Sequence, residues 1–317
     1  MSQYSSHNIN SFNTVTVSNN FTAADDRSNI LAWLSPLDPK SRHQDIQDRR
    51  VEDIGEWLLQ TEEFRSWYAG SGGDESDHSV LFCYGGPGVG KTYIRYQRRT
   101  LRRRRKGKAL TSLNASSLVI DSLCDQDGGQ SATVAGFYFD FAVQKDQSPA
   151  SMMGALLKQV VGGLEGIPEE ISQAYQRQRK ALGGRAPRLS EIVKMLQTTS
   201  SNERLFICID AIDECVPEYR VKLLDSLSKI LQNSSGVRIF VTGRPHIRPE
   251  IRRRLVGKVT DLPISTKRDD IILYLRSRLG DDPIPDAMDS SLEAEILRKI
   301  PEDISEMYVE TIVRKMP

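Results

Sequence analysis

The chain has 317 residues, with 43 Lys+Arg against 42 Asp+Glu and a formal net charge of +1. At 38% hydrophobic and 27% charged residues it can bury a substantial core, and its length suits one large or two modest domains. No apolar run nears the roughly 18 residues needed to span a bilayer. The first residues lack the cationic-then-apolar pattern of a secretory signal. Cys83, Cys124, Cys208 and Cys215 show no metal-ligand spacing. Reduced thiols and a cytoplasmic location are therefore expected, with no disulfide framework.

The near-neutral total hides an asymmetry. Nine of the basic residues fall between Arg95 and Lys108, a stretch without a single acid. The remainder holds 34 basic against 42 acidic residues, a net charge of −8. An acidic protein carrying a cationic insert offers no general electrostatic case for nucleic-acid binding.

In chain order, residues 1–28 are rich in Asn, Ser and Thr and poor in large apolar groups, so a disordered tail is expected. Residues 29–78 read as a helical preface closed by an acidic loop. Val51, Ile54, Trp57 and Leu58 recur at helical spacing, followed by Phe64 and Trp67. All three tryptophans lie in this preface, where core packing accounts for them. Then comes Val80-Leu81-Phe82-Cys83-Tyr84, a short apolar run expected to form a buried parallel strand. Further strands are predicted over 134–141, 205–209 and 237–241, with helices over 150–164, 189–197 and 220–231. Strands alternating with helices argue for an α/β fold with a parallel central sheet and crossover helices.

Gly85-Gly86-Pro87-Gly88-Val89-Gly90-Lys91-Thr92 fits the phosphate-loop pattern GxxxxGK[ST] and directly follows the first strand. Glycines let the backbone curl so that successive N–H groups face phosphate oxygens, and the next helix N-terminus adds partial positive charge. Lys91 would reach the β and γ phosphates, and the Thr92 hydroxyl would bind Mg²⁺. A second constellation agrees. Five apolar residues, Leu205-Phe206-Ile207-Cys208-Ile209, run into Asp210, followed by Asp213 and Glu214. A carboxylate at the end of a buried parallel strand lies where such sheets bind ligands, so Asp210 is the expected Mg²⁺ partner. Asp213 or Glu214 would orient or deprotonate an attacking water. A third run, Val237-Arg238-Ile239-Phe240-Val241-Thr242-Gly243-Arg244, ends in an arginine suited to sensing the γ-phosphate.

Taken together, these residues resemble the NACHT family of signal-transduction NTPases in the STAND class, specifically its fungal nephrocystin-3-like type, over roughly 30–308. The match includes Trp33-Leu34-Ser35-Pro36-Leu37-Asp38-Pro39, Phe137-Tyr138-Phe139-Asp140-Phe141, Ile209-Asp210-Ala211-Ile212-Asp213-Glu214-Cys215 and Thr242-Gly243-Arg244-Pro245-His246-Ile247. The resemblance implies a P-loop NTPase sandwich with a helical N-terminal preface and the start of a helical C-terminal extension. It implies a slow ATP or GTP hydrolase with Mg²⁺ that forms homo-oligomers when triphosphate is bound. Relatives of this type act in non-self recognition, innate immunity and cell-death signalling. The expected NTPase core is 79–265, followed by a helical extension over 266–317. Two other classes remain open: a nucleotide-binding interaction fragment without turnover, and a nucleic-acid-dependent ATPase.

The chain departs from that family in three places. Residues 95–115 interrupt the helix that should run from Lys91-Thr92 into Ser116-Ser117-Leu118-Val119-Ile120-Asp121. Removing them would restore a continuous amphipathic helix, as expected of a retained intron. The rival reading takes Arg102-Arg103-Arg104-Arg105-Lys106 as a nuclear-localisation or nucleic-acid patch. After Ser305-Glu306-Met307 the chain lacks the expected apolar helix and winged-helix region, as a truncated or frame-shifted gene model would. Where relatives carry a Gly-Thr-Gly turn, this chain has Asp53-Ile54-Gly55.

Overall fold

The computed structural model describes residues 23–48, 50–70, 79–85, 115–125, 132–180, 185–200, 204–255, 259–265, 267–280 and 290–313. Among them, five strands form one sheet: β1 (Val80–Tyr84), β2 (Ala132–Tyr138), β3 (Arg204–Asp210), β4 (Val237–Gly243) and β5 (Val259–Pro263). Their spatial order is β2-β3-β4-β1-β5, and every pairing is parallel.

Alternation along each strand splits the core into two layers, because successive side chains point to opposite faces. Val80, Phe82, Leu205, Ile207, Ile209, Ile239 and Val241 face one layer. Leu81, Cys83, Phe206, Cys208 and Phe240 face the other. The first layer is closed by α1 (Ala23–Leu34), α5 (Pro149–Gly163), α7 (Leu189–Thr199), α8 (Pro217–Asn233) and α9 (Arg248–Arg254). The second is closed by α4 (Ala115–Asp125), α3 (Glu62–Ala69) and the 3-10 segment Glu56–Gln60. From β1 to β2 the chain moves one way across the sheet, and from β2 onward it moves back. Right-handed crossovers then require helices on opposite faces for the two directions, as observed. Connections thus diverge between β1 and β4, and outside the C-terminal ends of the strands at such a switch point is where sheets of this kind bind ligands. This is the α/β sandwich expected from the sequence, with helices before and after it.

Three boundaries differ from the sequence expectation. Helix α1 starts at Ala23, inside the stretch expected as tail. Arg27 holds it there by donating to the carbonyls of Val161, Gly162 and Leu164 at 3.4, 3.1 and 2.8 Å, which satisfies open acceptors at the end of α5. Packing is close here: a Cβ on Gly154 of α5 would sit 2.2 Å from the Leu34 carbonyl oxygen. In the preface, helix α2 (Pro39–Gln47) stops before the apolar spacing at Val51 begins. Asp53 (φ 65°) and Gly55 (φ 85°) adopt left-handed backbone, so Val51 and Ile54 lie in a turn rather than a helix. Strand β2 ends at Tyr138, three positions short of Phe141. Its partner β3 ends at Asp210, opposite Tyr138, and the Phe139 N–H to the Asp210 carbonyl (3.1 Å) is the last bond the two strands exchange. Phe141 instead begins a 3-10 turn and is 72% exposed.

The three preface tryptophans fasten the preface to the core through their indole N–H groups. Trp33 donates to the Arg185 carbonyl (2.9 Å), Trp57 to the Asp270 carboxylate (3.0 Å) and Trp67 to the Ser79 carbonyl (3.2 Å). Asp270 lies on α10 (Arg268–Gly280), the first helix after the sheet, and a second long helix, α11 (Ser290–Val313), follows it.

None of the four cysteines is in a disulfide, and only Cys124 is exposed. Burial pushes the Cys83 and Cys208 thiols up and raises that of Cys215 to about 12, so thiolate is scarce at all three. An aromatic disulfide reagent at pH 8 is expected to label Cys124 within minutes and the other three only as the chain unfolds. Two or more fast-reacting thiols in the native protein would contradict this packing.

Candidate functional site

Sheet order decides which sequence motifs meet. Strand β4 lies between β1, which delivers the phosphate loop, and β3, which carries Asp210. Two inter-strand spacings separate β1 from β3, about 10 Å. Gly85, the first residue of the loop, donates its N–H to the Gly243 carbonyl at 3.4 Å, so the loop starts beside the end of β4. Gly86, Pro87, Gly88, Val89, Gly90, Lys91 and Thr92 lie outside the described residues. Asp210, Asp213, Glu214 and Arg244 are all described, and all sit at the C-terminal ends of β3 and β4.

Asp210 follows Cys208 in the two-residue alternation and therefore faces the α4 layer. Thr242 follows Phe240 on β4 and faces the same way. The pairing of Ile209 with Val241 places these two residues side by side. The outcome is a carboxylate held by two hydroxyls: Thr242 Oγ1 and Ser116 Oγ donate to Asp210 Oδ1 at 2.7 and 2.8 Å. Ser116 belongs to the first turn of α4 and is 1% exposed. Directly after Asp210, Ala211 takes a left-handed conformation (φ 54°). Such backbone costs a non-glycine residue about 1 kcal/mol or more. The Ala211 N–H, which precedes that turn, donates to Thr242 Oγ1 at 2.9 Å.

The remaining acids are engaged differently. Asp213, 4% exposed, accepts from Arg244 Nε at 3.0 Å, while the arginine side chain is 49% exposed. The two expected catalytic groups thus hold each other across the ends of β3 and β4. Glu214 Oε2 accepts the Phe141 N–H at 3.3 Å, and the Glu214 carbonyl accepts from Gln144. The loop after β2 is thereby tied to the acidic turn.

A polar chain links this edge to the preface. Burial, and next the Asp210 carboxylate, push the Tyr138 phenol up, so it stays protonated and able to donate. His43 of α2 bridges Tyr138 Oη (Nδ1, 2.7 Å) and Asp121 Oδ1 (Nε2, 3.0 Å). An ionised carboxylate only accepts, so Nε2 carries the proton toward Asp121. Arg50 closes the network on Asp121 Oδ2 at 2.5 Å and Ser117 Oγ at 3.3 Å. Both Asp121 and Ser117 are on α4, the helix that brings Ser116 to Asp210.

Sequence reasoning gave no role to Ser116, Thr242, His43, Tyr138 or Arg50. Thr242 had a signal, since the period of two on β4 puts it on the Asp210 face. Ser116 had none, because 95–115 separates it from the phosphate loop.

These donors fit Mg²⁺. They are hard oxygens, one carboxylate with neighbouring hydroxyls, and Mg²⁺ is commonly bound through one or two carboxylates, water and substrate phosphates. Among the described residues no group of three or more His, Cys, Asp or Glu forms an all-protein cage. None of the described helices is long and apolar enough to cross a membrane.

Solved structures similar to the chain include three archaeal proteins. Cdc6p from Pyrobaculum aerophilum is 13% identical, with a TM-score of 0.38 over 78% of this chain and 52% of that one. The Orc1 protein of Aeropyrum pernix, solved in complex with DNA, is 12% identical, with a TM-score of 0.39 over 74% and 53%. A Walker-type ATPase of Pyrococcus abyssi is 11% identical, with a TM-score of 0.40 over 85% and 79%. The chain spans about half the length of the first two. A comparison with curated proteins finds no significant match. The sequence model of the nephrocystin 3 N-terminal family matches residues 53–98 and 111–244, more than half of the chain. That match runs through the phosphate loop, the Asp210 turn and Arg244, and it breaks only inside the basic insert. The chain belongs to the nephrocystin 3 N-terminal family.

Proposed function

We propose that the protein binds a nucleoside triphosphate, ATP or GTP, with Mg²⁺ and hydrolyses it slowly as a signalling switch of the NACHT type. The observation that carries this reading is the placement of Asp210. It ends a buried strand one strand removed from the phosphate loop, with Arg244 just past the end of the strand between. In this reading the nucleotide-binding core spans 79–265, with the preface 29–78 ahead of it and the helical extension 266–317 behind. The backbone N–H groups of Gly86, Gly88, Val89 and Gly90 surround the phosphates, Lys91 contacts the β and γ groups, and Thr92 and Asp210 hold the metal shell. Bound Mg²⁺, held by Thr92 and Asp210, would supply positive charge to offset the charge that develops on transfer. Glu214 orients and deprotonates the attacking water. Asp213 keeps Arg244 at the site's edge until a γ-phosphate competes for the guanidinium. Homo-oligomers form in the triphosphate state, and nucleic acid is not expected as a partner, because the chain outside the basic insert carries a net charge of −8.

The test is a titration of the purified chain with ATP and GTP, with and without Mg²⁺, followed by a turnover assay. Saturable, Mg²⁺-dependent binding with slow turnover is expected, and no binding of either nucleotide would overturn the reading. Binding without turnover would favour an interaction module; salt-sensitive stimulation by DNA or RNA would favour a nucleic-acid-dependent ATPase.

The insert gives a further prediction. Deleting 95–115 places Thr92 and Ser116 three positions apart on one helix face. If the insert is a retained intron, the deletion variant should bind nucleotide at least about tenfold more tightly than the full chain, a gain of about 1.4 kcal/mol. Equal or weaker binding by the deletion variant would favour a functional basic arm, and transcript reads that all retain the segment would remove the intron reading.

A further inference from the structure

We propose that Thr242 and Ser116 are positioning residues for the divalent cation of this site: together their hydroxyls pin Oδ1 of Asp210 so that Oδ2 is turned toward the metal's shell. The inference rests on the nucleotide reading above and adds two residues to it.

Convergence is the first reason. The two hydroxyls come from different elements, β4 and α4, and both end on the same carboxylate oxygen at 2.7 and 2.8 Å. A single hydroxyl would leave the carboxylate free to rotate about its last bond. Two donors from different elements fix its plane.

Directionality is the second. Thr242 Oγ1 accepts the Ala211 N–H at 2.9 Å, so its one proton is committed to Asp210. The left-handed backbone at Ala211 then turns the following acids away from β3 while the N–H ahead of it stays on Thr242.

Anchoring is the third. Ser116 is fully enclosed, and the neighbouring Ser117 and Asp121 on α4 are held by Arg50 and His43 of the preface. The helix therefore cannot drift from Asp210 without breaking the polar network at its other contacts. Partners that orient a metal-binding carboxylate commonly change metal affinity by about 10–100-fold when removed. A carboxylate held only for structural reasons would show lost stability without that metal-specific effect.

The experiment uses the full chain and three variants: Thr242→Val, which keeps the shape and removes the hydroxyl; Ser116→Ala; and Thr242→Ser, which restores the hydroxyl. A fluorescent ATP analogue gives nucleotide affinity in EDTA. Mn²⁺ is then titrated into each nucleotide complex, with free Mn²⁺ read by electron paramagnetic resonance. Thr242→Val and Ser116→Ala should each weaken Mn²⁺ binding about 10–100-fold. Thr242→Ser should return it to within about threefold, and the metal-free nucleotide affinity should change little throughout. If Thr242→Val does not fold, Ser116→Ala decides the matter, because alanine suits the first turn of a helix. Unaltered Mn²⁺ affinity in a folded Ser116→Ala chain would overturn the clamp and leave the nucleotide reading standing. An unaltered chain that binds no ATP analogue at all would overturn the nucleotide reading, and the clamp with it.

Discussion

Lys91→Ala is expected to lose triphosphate binding, with affinity falling by about 100-fold or more. Lys91 is the seventh residue of the loop that begins at Gly85, and Gly85 is fixed beside β4 by its bond to the Gly243 carbonyl. In the proposed site the Lys91 side chain contacts both the β and γ phosphates. A hydrogen bond to a charged group contributes about 1.5–3 kcal/mol, and each 1.4 kcal/mol is tenfold in affinity. Loss of contacts to both the β and γ phosphates gives the stated magnitude. Isothermal titration with ATP and GTP reads it directly. An unchanged dissociation constant would remove the phosphate site from this loop.

Glu214→Gln is expected to keep nucleotide affinity and to slow hydrolysis by about 10²–10⁴-fold, the usual range for losing a general base. Glutamine keeps an acceptor oxygen for the Phe141 N–H, so the loop after β2 stays attached. What it loses is the capacity to take a proton. Asp213→Asn is the companion variant, because Asp213 is committed to Arg244 at 3.0 Å. Single-turnover rates at saturating nucleotide separate the two. A large loss in Asp213→Asn with little change in Glu214→Gln would move the water-activating role to Asp213.

The strands nearest the site were the most legible parts of the sequence. β1, β3 and β4 are buried on both faces, so they appear as short apolar runs, broken in β4 only by Arg238, with little dependence on their surroundings. Strand β5 escaped notice because an edge strand with Thr260 and Asp261 does not look apolar. Asp261 is stabilised there by Arg248 at 3.0 Å and by Arg252, contacts invisible before folding. Helix α6 (Glu169–Lys180) was missed for a similar reason: among its residues only Ile171 is buried. In the preface the error ran the other way. Apolar spacing at Val51 and Ile54 suggested helix, but the backbone at Asp53 and Gly55 turns left-handed and breaks the period.

The sequence by itself determined the chemistry on offer: a glycine-rich loop ending in Lys91-Thr92, a carboxylate closing an apolar strand, and an arginine closing another. Each is a local pattern, set by which residues can curl, bury or carry charge within a few positions of one another. Only the tertiary structure decided how they are wired. Placing β4 between β1 and β3 depends on crossover direction and long-range burial, which no local period encodes. That placement pairs Asp213 with Arg244, sets Thr242 beside Asp210, and lets α4 bring Ser116 from beyond the basic insert. The two hydroxyls on Asp210 follow from strand register and helix docking, a matter of a few tenths of an ångström that composition and spacing do not contain.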